Sequence, residues 1–164
     1  MIGLRPPRHD DAPAIAAIYN EGIAERQATF ETRPREAAEV EAWLDGGLPF
    51  LVAVVDGRVT GWARVTPVSD RCAYAGVGEH GVYVDPAARG RGVGRALLSE
   101  LCADAASRGM HKLTSRILTT NAASRALHLA CGFHEVGIQR RHGRLDGEWR
   151  DCVLVERLLG DAAA

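Results

Sequence analysis

The sequence predicts an α/β protein in which a mixed sheet carries helices on its faces. Three observations lead there. Apolar runs of strand length alternate with segments of helical period, in the order β-α-α-β-β-β-α-β-α-β-β. Asp56-Gly57 separates two of the apolar runs, a strong signal for a tight hairpin. From His80 to Ala96, a short strand, a glycine-rich loop and the start of a helix follow one another directly.

In chain order, Ile2 to Arg5 reads as a short first strand. Asp10 or Asp11 can cap the helix that follows, with Pro13 tolerated in its first turn. This helix buries Ile15, Ile18 and Tyr19, and Ile23 extends the same face. Gln27 to Arg33 is a polar loop holding Phe30, an aromatic that either packs back on the core or lines a pocket. Glu36 to Leu44 reads as a second helix, ended by Gly46-Gly47. Phe50 to Val55 and Val59 to Val65 are the hairpin strands.

Pro67 to Arg71 reads as a loop. Cys72 to Val84 reads as one long strand, in which Gly76, Gly78 and Gly81 suggest a bulge or a close backbone approach. The next helix runs to about Ser107, with Gly109 ending it. Lys112 to Ile117 is a strand. Asn121 opens a helix that offers Leu127, Leu129 and Ala130 to the core and closes near Gly132. Phe133 to Gln139 and Trp149 to Leu158 are the last strands, joined by a polar tip from His142 to Glu148.

The stretch with the clearest chemistry is the loop after Val82-Tyr83-Val84. Asp85-Pro86 stops that strand, because proline has no N–H to give. Gly90, Gly92 and Gly94 come next, and then Val93, Leu97, Leu98, Leu101 and Cys102 fall on one helical face. The first N–H groups of a helix have no internal partner, and the macrodipole is positive there. Glycine lets a phosphate approach the backbone, and Arg89, Arg91 and Arg95 add positive charge. The arrangement is a diphosphate cradle. It is not a Walker loop, since no Lys-Ser or Lys-Thr follows the glycines. It is not a dinucleotide fingerprint either, because Arg95 stands where the third glycine belongs.

Length and composition bound the remaining possibilities. A chain of 164 residues suits a single domain spanning residues 1 to 164 with a sizeable core. A net charge of −1 offers no basic field for nucleic acid. No apolar run reaches the length of a membrane span, and the first residues do not read as a signal peptide. The four cysteines, Cys72, Cys102, Cys131 and Cys152, show no C-x-x-C pair and no zinc spacing. They read as reduced and mostly buried thiols of a cytoplasmic protein, and no metal is expected.

The loop Arg89-x-x-Gly92-x-Gly94 resembles the pyrophosphate-binding loop of the GNAT superfamily of N-acetyltransferases. The resemblance extends along nearly the whole chain and is nearest to the phosphinothricin N-acetyltransferase branch. It is carried by Ala28 to Pro34, Arg71 to Tyr74, Glu79 to Gly94, Asn121 to Phe133 and Asp146 to Asp151. The ending from Arg141 to Asp151 is similar to arsinothricin-resistance N-acetyltransferases. The resemblance implies the GNAT fold, a mostly antiparallel sheet of six to seven strands flanked by about four helices. It also implies acetyl-CoA as cosubstrate and a homodimer paired through the C-terminal strands. Val153, Leu154, Val155, Leu158 and Leu159 supply the apolar residues there.

Within that family the roles follow residue by residue. The loop Arg89, Gly90, Arg91, Gly92, Val93, Gly94, Arg95 and Ala96 would hold the pyrophosphate. Val82 and Val84 would offer backbone groups to the pantetheine arm, with Asn121 and Ser124 as side-chain partners and Tyr83 near the acetyl group. Glu79 resembles the general base, turned into the cleft by a bulge at Gly78 or Gly81. His128 stands two turns from Asn121, where many acetyltransferases carry tyrosine, and would assist near the sulfur. Phe30, Arg71, Tyr74 and Glu79 would face the acceptor, with Arg64 a lesser addition, since a guanidinium fork suits acidic oxygens. Ser69 departs from the lysine that phosphinothricin enzymes often carry there. Cys131 reads as core rather than nucleophile.

The implied reaction is direct acetyl transfer to the amine of a small amino acid analogue, of arsinothricin or phosphinothricin type, with antibiotic resistance as the associated role. Methionine sulfone or sulfoximine is the second acceptor class. A noncatalytic CoA-binding sensor is the alternative from a different class of function.

Overall fold

The computed structural model describes residues 1–164. Seven strands form one sheet in the order β1-β2-β3-β4-β5-β7-β6. They are β1 (Gly3–Arg5), β2 (Phe50–Val55), β3 (Arg58–Pro67), β4 (Val77–Val84), β5 (Lys112–Leu118), β6 (His134–Leu145) and β7 (Glu148–Leu158). The helices are α1 (Ala12–Ala24), α2 (Ala37–Trp43), α3 (Val93–Ser107) and α4 (Ala122–Ala130). Neighbouring strands are antiparallel except β4 and β5, which run parallel. No helix is long and apolar enough to cross a membrane.

Both faces of the sheet are covered, which explains the unbroken apolar run of β2. Side chains alternate along a strand. Leu51 and Ala53 therefore join Ala63, Val65, Leu97, Leu98 and Leu101 in the core under α3. Phe50 and Val52 point the other way, to Trp62, Ile15, Ile18, Tyr19 and Val40 under α1 and α2. Leu97, Leu98 and Leu101 are fully buried, and each such side chain contributes about 1.5–3 kcal/mol through burial.

Five expectations change in the structure. Asp11 precedes α1 but does not cap it; its carboxylate accepts from Arg5 at 2.7 and 3.0 Å and from the Arg8 N–H at 2.7 Å. The segment from Cys72 is not strand. Local bonds from Tyr74 N to Arg71 O and from Ala75 N to Cys72 O close a 3-10 turn, and β4 begins only at Val77. The hairpin tip is shorter than His142 to Glu148, because Gly143 to Leu145 are paired strand. A bulge with Arg141 at φ 49° lies between Gln139 and Gly143, pairing resumes at Gly143 with Arg150, and the turn is Asp146-Gly147. In α4, Leu129 and Ala130 are exposed and His128 is the buried residue. Finally, β4 pairs regularly with β3 and carries no bulge at Gly78 or Gly81.

Candidate functional site

The site is made by a failure of pairing. Strands β4 and β5 are joined only from Val77 with Lys112 to Glu79 with Thr114. Beyond Glu79 they splay, and the Ser115 hydroxyl donates to His80 O at 3.0 Å at the fork. Asp85 N donates to Thr60 O on β3. By strand alternation, the backbone groups of Val82 and Val84 point the other way, to the edge that β5 has left. A cleft of about 680 Å³ fills the opening, lined by Glu79, Val82, Tyr83, Val84, the start of α3 and one side of α4.

At one end of the cleft lies the glycine loop. Gly92 has φ 84° and directly precedes α3, a conformation that strains any residue with a Cβ. The first α3 bond runs from Ala96 N to Gly92 O, so the N–H groups of Val93, Gly94 and Arg95 are the helix's free donors. A Cβ at Gly94 would meet Leu127 at 3.3 Å, so glycine there lets α3 and α4 close together. Arg89, Gly90, Gly92, Val93, Gly94 and Arg95 all line the cleft; exposed Arg91 and partly buried Ala96 do not. Arg89 is already engaged, with Glu25 accepting at 2.6 and 2.7 Å. That bond holds Glu25 below the usual carboxylate range, and the Arg89 Nε also donates to Val84 O at 3.3 Å.

Glu79 reaches the cleft by ordinary strand alternation. Its Oε2 lies 3.4 Å from Nη1 of Arg116 on β5, whose Nε donates to Gln139. Tyr83 stacks on Trp62, with ring centroids 4.8 Å apart, and meets Tyr19 edge-on at 5.0 Å. Burial pushes the Tyr83 hydroxyl well above its ordinary value, so it can donate a proton in a hydrogen bond but does not serve as a base. Phe30 does both things expected of it: it lines the cleft and packs on Leu118, Leu145 and Cys152.

Asn121 and Ser124 line the cleft, but the Asn121 side chain is largely committed. Its Oδ1 accepts from Ser124 N at 3.2 Å, capping α4, and its Nδ2 donates to Gln27 O at 3.0 Å. His128 is buried, and both ring nitrogens are engaged. Nδ1 donates to Ser124 O at 2.7 Å, and Nε2 lies 3.0 Å from Nε2 of His80. Burial lowers the pKa of both rings, that of His80 to about 3, with the charge of His128 as a second cause.

Arg71 and Tyr74 are exposed and line neither the cleft nor the recess beside it. Sequence reading missed His80, Arg116 and Glu25. His80 adjoins Glu79, but no spacing rule links it to His128; Arg116 and Glu25 meet their partners only through folding. Cys131 is buried, with its sulfur 3.7 Å from Ser99 Oγ, and all four cysteines are unpaired. No three His, Cys, Asp or Glu side chains converge as a metal set would.

The splayed strand pair leaves a backbone edge that leads from the Glu79 carboxylate to the N-terminus of α3. The chain belongs to the acetyltransferase (GNAT) family, whose sequence pattern matches residues 15–133. It is an acyltransferase of the fold expected. It is 40% identical over 161 residues to a phosphinothricin N-acetyltransferase of Alcaligenes faecalis, covering 95% of this chain and 82% of that one. It is 34% identical over 151 residues to an L-methionine sulfoximine/L-methionine sulfone acetyltransferase of Pseudomonas paraeruginosa, covering 89% and 88%. A phosphinothricin acetyltransferase from Sinorhizobium meliloti, solved with acetyl-CoA, superposes with a TM-score of 0.92 at 33% identity, over 98% of this chain and 89% of that one.

Proposed function

We propose that this acetyltransferase moves the acetyl group of acetyl-CoA to the amine of a small amino acid analogue of phosphinothricin or arsinothricin type. Methionine sulfone and sulfoximine form the second acceptor class. The observation that carries the reading is Glu79 standing at the fork from which the free edge of β4 runs to the N-terminus of α3. The loop from Arg89 to Arg95 takes the pyrophosphate, and the Val82 and Val84 backbone takes the pantetheine arm. A backbone N–H on that edge is placed to polarise the thioester carbonyl.

Glu79 takes a proton from the acceptor ammonium, directly or through one water, because only the neutral amine attacks. The C–N bond forms, the C–S bond breaks, and the products are the amide, CoA and one proton. No covalent enzyme intermediate is needed, in keeping with the burial of Cys131. His128 holds α4 against β4 in this scheme, and its Nε2, which accepts from His80, carries no proton for the sulfur.

The protein acts in the cytoplasm as a homodimer. The unpaired thiols support the compartment. For the dimer, Val153, Val155 and Leu159 are core, whereas Val136, Ile138 and Trp149 stand about half exposed on the outer strands. The deciding experiment is thiol release from acetyl-CoA across a panel of phosphinothricin, arsinothricin, methionine sulfone, methionine sulfoximine and simple amines. Turnover with the amino acids supports the reading. Acetyl-CoA binding without turnover on any amine favours a noncatalytic sensor.

A further inference from the structure

A second space adjoins the cleft, on the sheet face covered by α1 and α2. Strands β3 and β4 pair there as Trp62 with Tyr83, Arg64 with Gly81 and Thr66 with Glu79. Gly81 carries no side chain, and a recess of about 310 Å³ opens in front of Arg64, with Glu79 on its rim. The Arg64 guanidinium carbon lies 4.0 Å from the Trp43 ring centroid. No side-chain hydrogen bond or ion pair engages the Arg64 donors within the chain, and a guanidinium over a ring face can still bind oxygens through its edge.

The charge pattern of the recess singles Arg64 out. Arg35, which also lines it, is neutralised by Glu31 at 3.0 Å. Glu79 is held from the other side by Arg116 at 3.4 Å. Arg64 makes no ion pair with any of these carboxylates, although it is partly buried. Burial pushes its pKa below the usual guanidinium value, and an anion in the recess would offset that cost.

Resting on the acetyltransferase reading above, we propose that the recess is a carboxylate subsite, in which Arg64 binds the α-carboxylate of an amino acid acceptor whose amine lies at Glu79. Arg64 and Glu79 are diagonal neighbours on paired strands, a relationship that places side-chain bases about 7–8 Å apart. An acceptor with amine and carboxylate on one carbon spans that gap, with a hydrogen bond of about 2.9 Å at each end. The subsite selects free amino acids over amines that lack an acid group. It also leaves the acceptor's distal group pointing away from Arg64, so that phosphinate, arsinate and neutral sulfone side chains are all compatible with it.

The test compares L-methionine sulfone and phosphinothricin, each with its α-carboxamide, in wild-type protein and in Arg64→Met and Arg64→Lys. Wild type should favour each acid over its amide by about 10- to 100-fold in kcat/KM, the worth of a charge-assisted hydrogen bond. Arg64→Met should erase that preference, mainly through KM for the acid. It should leave the amides and the KM for acetyl-CoA within about threefold. Arg64→Lys should restore part of the preference. Equal losses on acid and amide in Arg64→Met would make Arg64 a packing residue and overturn the proposal. So would a wild-type acid preference below about threefold, a result that needs no variant to fold. Wild-type protein that binds acetyl-CoA yet acetylates no amine overturns the parent reading instead, and the subsite with it.

Discussion

His80 Nε2 and His128 Nε2 lie 3.0 Å apart, and one proton serves both. His128 Nδ1 bonds a carbonyl oxygen, so it carries the hydrogen, and its neutral Nε2 must accept. The shared hydrogen therefore belongs to His80. A proton added to His128 Nε2 would set N–H against N–H, and one added to His80 would go to its buried Nδ1, which has no hydrogen-bond partner.

Stability should consequently fall with acid. An unfolded histidine binds its proton near pH 6.5, whereas His80 does so only at about 3, and His128 is lowered as well. Between those values the unfolded chain binds more protons than the native one, so stability rises with pH across the window and is lost as pH falls through it. Each ring contributes a slope of up to about 1.4 kcal/mol per pH unit. Urea unfolding from pH 7.5 to 5 should show the decline. A His80→Phe/His128→Leu double variant should show a flatter one; an unchanged slope would refute the assignment.

Glu79→Gln should lower kcat by about a hundred- to ten-thousand-fold, the worth of a positioned general base. Affinity for acetyl-CoA should hardly change, because the glycine loop proposed to hold it lies at the other end of the cleft. Steady-state kinetics with a binding measurement checks both. Near-wild-type kcat would remove Glu79 from the chemistry.

Gly92→Val forces a branched side chain into a backbone at φ 84°. The strain, about 1–2 kcal/mol for a left-handed residue, should leave the fold intact. CoA binding should nonetheless weaken at least tenfold, since the N–H groups of Val93 to Arg95 are re-aimed. Calorimetry of CoA binding on the folded variant decides; an unchanged Kd would remove the loop from cofactor recognition.

Glu25→Gln should act in the opposite direction. It releases Arg89 from a bidentate partner at 2.6 and 2.7 Å. Exposed ion pairs are worth about 0.2–1 kcal/mol, so CoA should bind up to about fivefold more tightly and with a steeper salt dependence. Weaker binding would mean that the pair shapes the cleft wall rather than competing with the phosphates.

Cys131→Ala should keep most of the activity, because a buried thiol has no part in direct transfer. Loss of turnover together with an acetyl-cysteine intermediate would point to a two-step route.

The turn from β4 through the glycine loop into α3 was legible in the sequence because its geometry is local. The stop at Pro86, the left-handed Gly92 and the free donors of α3 all lie within a dozen residues, and no distant partner is needed to define them. The hairpin at Asp56-Gly57 was legible for a similar reason, since both turn residues take the left-handed conformation that this dipeptide favours. The fold of residues 72 to 76 and the bulge near Arg141 were not: local bonds back to Arg71 and Cys72 replace strand pairing in the first, and Asp151 on β7 accepts from Arg141 N in the second. Side-chain roles were decided by pairing across the sheet. His80 meets His128 across 48 positions, Glu79 meets Arg116 across 37, and Arg64 faces a space only because Gly81 is its partner. Arg71 and Tyr74 matched a motif yet stand in solvent. A motif specifies which residues are available along the chain. The register of β3, β4 and β5 decides which of them share a cleft, since shifting a strand by one residue turns every side chain to the other face.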